Sequence, residues 1–289
     1  MAVQPTRRAV LAAPLLTVPL LARPAFANDA TPRFADLERR NGGRLGVAAF
    51  DSASGRRIGH RSEERFPMCS TFKFLAAAFV LARVDRGEER LDRRIVYSTQ
   101  DLVTYSPVTK DHVGPAGLSV AELCDATMTL SDNTAGNLLL ASFGGPAGLT
   151  AYARSLGDQT TRLDRIETAL NEGLPGDPRD TTSPVAMLGT MHRLLLGDAL
   201  SAASRERLTG WLVANKTGDK RLRAGMPGWK VGDKTGTGGN GSANDIAIVW
   251  PTGRAPLLVT VYYTGSTISD EARNEVIAEA GRIVAASLK

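Results

Sequence analysis

Strand-like patterns stand near both ends of this chain and are absent from its middle, and that arrangement restricts the fold more than any other feature. Residues 45–50 read as a buried strand, Asp51-Ser52-Ala53-Ser54-Gly55 as a turn, and 57–60 as the returning strand. β-Rich sequence then returns only at 229–235, 245–250 and 257–263, separated by Gly and Pro turns. From about Ser70 to Asn215 the pattern is mostly helical, with apolar residues three and four apart over 72–84, 119–130 and 137–143. Ser119 and Glu122 have the spacing of a capping box. An early helix ends near Leu37 to Arg40, at Asn41-Gly42-Gly43, and 271–288 forms a last helix with Val276, Ala280, Ile283, Val284 and Ser287 on one face. One sheet must therefore draw strands from both termini and accept the helical stretch as an insertion. The fold expected is α/β of the α+β type: an antiparallel sheet from both termini, flanked by helices, with an inserted all-helical domain. Its expected divisions are 28–66 and 216–289 for the sheet domain and 67–215 for the helical one, and a chain of 289 residues is long enough for both.

Residues 1–27 are a separate object. Arg7 and Arg8 lead into an apolar run, Ala9 to Ala22, which ends in the small-x-small tripeptide Ala25-Phe26-Ala27. That is the order of a cleavable signal peptide. The run is short and carries Pro14 and Pro19, so no stable membrane anchor is expected. Thr6-Arg7-Arg8 resembles a twin-arginine motif, with Sec export left open, and the product is expected in a periplasm or secreted. Removing the leader also removes three of the 35 basic residues and none of the 30 acidic ones, leaving a charge of +2, so no nucleic-acid partner is implied.

Three short motifs carry the chemistry. Ser70-Thr71-Phe72-Lys73 places a serine just before a helix and a lysine one turn on, within reach of the hydroxyl. Such a lysine, if desolvated, can help remove the serine proton. Ser131-Asp132-Asn133 lies on a turn between helices, where all three residue types also serve as helix caps. Lys234-Thr235-Gly236 lies in strand pattern and runs on into Thr237-Gly238-Gly239, where glycine admits close approach. A second copy, Lys216-Thr217-Gly218, has no strand around it and is assigned to a turn. Each motif alone is weak. A fourth segment, Arg165-Ile166-Glu167-Thr168-Ala169-Leu170-Asn171, puts a carboxylate and an amide four residues apart, able to hold one water, and Arg165 with Asp180 would close it as an Ω-loop over 165–180.

In this order and context the motifs closely resemble those of class A serine β-lactamases, within the superfamily that includes the penicillin-binding proteins. The resemblance implies a hydrolase that opens the amide of penicillins and cephalosporins and confers antibiotic resistance. It implies Ser70 as nucleophile, with its N–H and that of Thr237 as the oxyanion hole, and Lys73 or Glu167 as acylation base. Glu167 and Asn171 would hold the deacylating water, and Ser131 would pass a proton to the leaving nitrogen. Asn133 would bind the acylamide side chain, and Lys234, Thr235, Gly236 and Thr237 would form the carboxylate side of the site. Arg221 resembles an alternative position for a carboxylate-binding arginine, with Arg223 its rival. Tyr105 resembles the aromatic wall at the entrance. The partners implied are small β-lactams, with no cofactor, no metal and a monomeric chain.

The two cysteines, Cys69 and Cys124, are expected as free thiols. Gly238 and Gly239 stand where carbapenem-hydrolysing relatives place a partner for Cys69, and Ala77 stands where the resemblance to penicillinase-type relatives would place one for Cys124. Other hydrolytic chemistries find no support. No G-x-S-x-G surrounds Ser70, and His60, His112 and His192 form neither a triad pattern nor a zinc set. A D,D-peptidase or a β-lactam sensor would lack the Glu167–Asn171 pair.

Overall fold

The computed structural model describes Met1, Ala2 and residues 30–288. The leader expected over 1–27 lies outside the described residues apart from Met1 and Ala2. In chain order come α1 (Thr31–Asn41), β1 (Arg44–Asp51), β2 (Arg57–His60) and β3 (Phe66–Pro67). A 3₁₀ turn, Cys69–Thr71, leads into α2 (Phe72–Asp85). Then follow β4 (Arg94–Tyr97), β5 (Gly114–Ser119), α3 (Val120–Thr129), α4 (Asn133–Ala141) and α5 (Gly145–Ser155). The Ω-shaped segment ends at β6 (Thr181–Thr182), before α6 (Pro184–Leu195), α7 (Ala202–Val213) and the single turn α8 (Leu222–Gly225). The chain closes with β7 (Lys230–Gly238), β8 (Ser242–Trp250), β9 (Leu257–Thr264) and α9 (Asp270–Ser287).

The main sheet runs β2-β1-β9-β8-β7, antiparallel throughout, so the two termini share one sheet as their patterns require. β9 is buried along its whole length because both faces of the sheet are covered. Leu45, Val47, Val259, Val261 and Ala247 pack with Phe34 of α1 and Val276, Ile277, Ala280 and Ile283 of α9. Ala48, Ile246, Ile248, Leu258 and Tyr262 face the helical body, where α2 is central and buries Phe72, Phe74, Leu75, Val80 and Leu81. On α9, Ser287 is only half-buried, unlike the four apolar residues expected on its face.

The stretch 67–215 is not all helix. β4 pairs with β5, and β6 pairs with β3. The β4–β5 ribbon has Gly114, Pro115 and Gly117 in it, and Arg94 donates to the Ala116 and Gly117 carbonyls at 2.6 and 2.7 Å. Helix starts follow their caps. Ser119 and Glu122 complete the capping box, and Asp132 accepts the Ala135 N–H and starts α4 at Asn133, ahead of the apolar run from 137.

Candidate active site

Ser70 sits where the 3₁₀ turn meets α2, 8% exposed. Cys69 before it holds φ 45°, and Ser131 and Tyr105 hold φ 59° and 66°. Left-handed geometry costs a non-glycine residue about 1–3 kcal/mol, and here it clusters around one cavity. Edge strand β7 comes close to the Ser70 turn through glycines. A Cβ on Gly236 would lie 2.8 Å from Met68 O, and one on Gly238 would lie 2.6 Å from Cys69 Sγ and 2.7 Å from Asn171 O. Asn244 of β8 ties the same turn down, donating from Nδ2 to the carbonyls of Pro67 and Met68 at 2.9 and 3.0 Å.

Lys73 reaches the hydroxyl one helical turn back, Nζ to Ser70 Oγ 3.0 Å. It also donates to Ser131 O at 2.8 Å and Asn133 Oδ1 at 2.6 Å, and pairs with Glu167 Oε1 at 3.0 Å. Both side chains of that ion pair are wholly shielded from solvent. Burial drives the Lys73 ammonium below its ordinary pKa, and the Glu167 carboxylate opposes the shift. Lys234 is held well below its usual value, first by burial and then by the nearby Lys73 charge. Ser131 Oγ stands between the two amines, 3.3 Å from Lys73 Nζ and 3.0 Å from Lys234 Nζ.

Ser70 Oγ donates to Glu167 Oε1 at 3.3 Å, and Asn171 Nδ2 donates to Glu167 Oε2 at 2.5 Å. Asn171 Oδ1 is buried with no hydrogen-bond partner among the described residues, an acceptor beside the carboxylate that suits a bridging water. The Ω-loop closes as expected: Arg165 Nε donates to Asp180 Oδ2 at 2.6 Å, while Asp180 Oδ1 accepts the Asp164 and Arg165 N–H groups at 2.8 and 2.9 Å.

A cavity of about 330 Å³ opens over these groups, lined by Ser70, Tyr105, Ser131, Asn133, Asn171, Thr217, Arg221, Thr235, Gly236 and Thr237. Lys73, Glu167 and Lys234 lie behind that lining. Tyr105 is 56% exposed, at the rim rather than in packing. Arg221 is buried, with Nη2 on Thr237 Oγ1 at 2.7 Å and Nη1 on the Gly236 and Asn244 carbonyls. Its rival, Arg223, is occupied by Asp219 and Asp233 away from the cavity. Cys69 and Cys124 are free and buried, and burial pushes both thiols up, Cys69 to about 12.

Two contributors escaped the sequence reading. Asn137 grips the Glu167 backbone twice, Nδ2 to O at 2.9 Å and Oδ1 from N at 2.8 Å. Its place one turn after Asn133 on α4 was the available signal. Thr217 belongs to the Lys-Thr-Gly copy set aside as a turn. It does lie in a turn, yet its Oγ1 meets Thr235 Oγ1 at 2.5 Å inside the cavity.

A nucleophilic hydroxyl touching a buried amine and a buried carboxylate, with cationic groups beyond, can perform acyl transfer to serine and then to water. Comparison with known proteins gives that class its family. Residues 29–288 match the β-lactamase enzyme family. The chain is 51% identical to β-lactamase AST-1 of Nocardia asteroides, over 94% of this chain and 88% of that one. It is 49% identical to β-lactamase L2 of Stenotrophomonas maltophilia, over 93% and 92%. Among solved structures, an ancestral (GNCA) class A β-lactamase superposes with a TM-score of 0.88 at 66% identity, covering 90% of this chain and all of that one. The chain belongs to the β-lactamase enzyme family, in class A.

Proposed function

We propose that this enzyme opens the β-lactam amide through an ester on Ser70 and hydrolyses that ester with a water held by Glu167 and Asn171. The observation that carries the reading is the meeting of Ser70 Oγ, Lys73 Nζ and Glu167 Oε1 within 3.3 Å in a buried pocket. Ser70 Oγ attacks the lactam carbonyl and gives its proton to Lys73 or Glu167. The N–H groups of Ser70 and Thr237 receive the developing oxyanion. Ser131, between two amines, delivers a proton to the lactam nitrogen as the C–N bond breaks. Glu167 then takes a proton from the water that attacks the ester, and Ser70 recovers its own. The net change is addition of one water. Asn133 receives the acylamide group of the substrate: its Oδ1 is taken by Lys73 and one Nδ2 proton by Thr104 O, which leaves a second proton for the substrate. Lys234, Thr235, Thr237 and Arg221 receive the substrate carboxylate, Gly236 gives it room, and Tyr105 forms the rim.

The same reading divides the chain into a sheet domain, 28–66 with 216–289, and a helical domain, 67–215, with the site at their seam. It takes 1–27 as a cleaved leader of twin-arginine type and the product as an exported monomer acting on small β-lactams. No helix among the described residues is long and apolar enough to cross a membrane.

Turnover of a chromogenic cephalosporin tests the chemistry. Wild type should turn over many times, while Glu167→Ala should stop after one acylation, its deacylation slowed roughly 10²- to 10⁴-fold, and mass spectrometry should find the adduct on Ser70. A one-equivalent burst from wild type would exclude hydrolytic turnover.

A further inference from the structure

The Lys216-Thr217-Gly218 turn brings into the cavity a hydroxyl that the scheme above does not use. Thr217 Oγ1 lies 2.5 Å from Thr235 Oγ1 and 2.9 Å from Asn215 Oδ1. The Asn215 amide has one orientation: its Oδ1 accepts the Thr217 N–H at 3.1 Å, and its Nδ2 donates to Asp233 Oδ2 at 2.9 Å. Thr217 has a single hydroxyl proton. Given to Asn215 Oδ1, which can only accept, it leaves Thr217 Oγ1 as the acceptor for Thr235. Among the described residues, the Thr235 hydroxyl has no other partner. Thr235 then shows lone pairs, not a proton, to the cavity, which is the wrong polarity for an incoming carboxylate.

We propose that Asn215 and Thr217 form a hydroxyl switch that sets the direction of Thr235. A carboxylate entering the cavity draws the Thr235 proton, and Thr217 turns its own proton from Asn215 to Thr235. No heavy atom has to move, because Asn215 Oδ1 keeps the Thr217 N–H. A neutral hydrogen bond is exchanged for a charge-assisted one, roughly twice as strong. Thr217 is thus a positioning residue for the substrate carboxylate, acting through Thr235. Gly218 is part of the same assembly: a Cβ there would lie 1.5 Å from Asp233 Oδ2, the atom that orients Asn215.

This inference rests on the carboxylate placement proposed above, so the test separates the two. kcat and KM are measured for a penicillin and its carboxyl methyl ester with wild type, Thr217→Val and Thr217→Ser. Valine keeps the shape and removes the hydroxyl. In the free enzyme, water in the cavity can take the place of the Thr217 hydroxyl beside Thr235, since both residues line it, but under bound substrate nothing replaces the donor behind Thr235. The KM of the acid should therefore rise about fivefold in Thr217→Val, with kcat within about twofold. The KM of the ester should hold within about twofold, and Thr217→Ser should restore the acid. Equal shifts for acid and ester, no shift for either, or a serine variant that behaves like valine would overturn the switch. A wild type that does not distinguish acid from ester would overturn the carboxylate placement and the switch together, leaving the Glu167→Ala result as it stands.

Discussion

Arg221 and Arg223 are two residues apart in sequence and opposite in electrostatic state. Arg223 is matched by the carboxylates of Asp219 and Asp233. Among the described residues, Arg221 donates only to neutral groups, Asn274 Oδ1, two carbonyls and Thr237 Oγ1, and burial holds its pKa below the ordinary value. A buried cation without a paired anion keeps a desolvation cost that a bound carboxylate would offset. Arg221→Ala should raise KM for penicillins about tenfold or more, the scale of one charge-assisted hydrogen bond, with a smaller effect on kcat. Arg223→Ala should act chiefly on Tm, by stranding the buried Asp233. Steady-state kinetics and thermal melts on both variants check this, and an unchanged KM in Arg221→Ala would remove the residue from the site. Sequence could name the two arginines as rivals. Only burial and pairing choose between them, because those depend on which strands and helices converge.

At the scale of elements, the Ω-loop is fixed at its neck, its middle and its far end. Arg165 and Asp180 close the neck, Asn137 grips the Glu167 backbone, and Asn171 O accepts the Gly239 N–H at 2.7 Å. Asp180, at φ 56° and 1% exposed, supplies three of the neck bonds. Asp180→Ala strands those donors, and should cost about 1–3 kcal/mol of stability. The loop carries Glu167 and Asn171, the pair proposed to hold the water, but not Ser70, so deacylation should slow more than acylation. Single-turnover and steady-state rates measured side by side would show it, and an equal fall in both would mean the neck does not position Glu167. The neck pair was legible in sequence because both partners border one segment. So were the helices whose apolar spacing and caps agree, such as α3 with Ser119 and Glu122. The β4–β5 ribbon was not, since Gly114-Pro115-Ala116-Gly117 has no strand propensity, and cross-strand bonds from Arg94 supply what local sequence lacks. β8 starts at Ser242, before the β-rich run from 245, because Ser242 to Asn244 pair with the glycine end of β7.

Over the whole molecule, the motifs could be read one by one, but not the collection of charge that folding buries between them. Lys73, Glu167, Arg221, Asp233, Lys234 and Asp245 are all buried near one cavity or just beneath it. Asp233 faces Ala247 and Asp245 faces Thr235 across the β7–β8 pair, so the two acids are diagonal neighbours on one sheet face. Among the described residues, Asp245 accepts only the Leu222 N–H, at 3.1 Å, and its Oδ1 is buried without a partner. Burial first, and then the Asp233 charge, drive its pKa well above the usual carboxylate value, against the pull of Arg221 and Lys234. The folded state therefore keeps a proton on Asp245 that the unfolded chain has already released. Below about pH 4 both states hold it and pH has no leverage through this group. Above that, the folded state binds more protons than the unfolded one, so each rise in pH costs stability until the folded carboxyl also ionises. Asp245→Asn keeps an acceptor for Leu222 and cannot ionise. Its Tm relative to wild type should climb as pH rises from about 4 toward neutrality, and a Tm difference that stays level over that range would mean that Asp245 is already ionised in the folded protein.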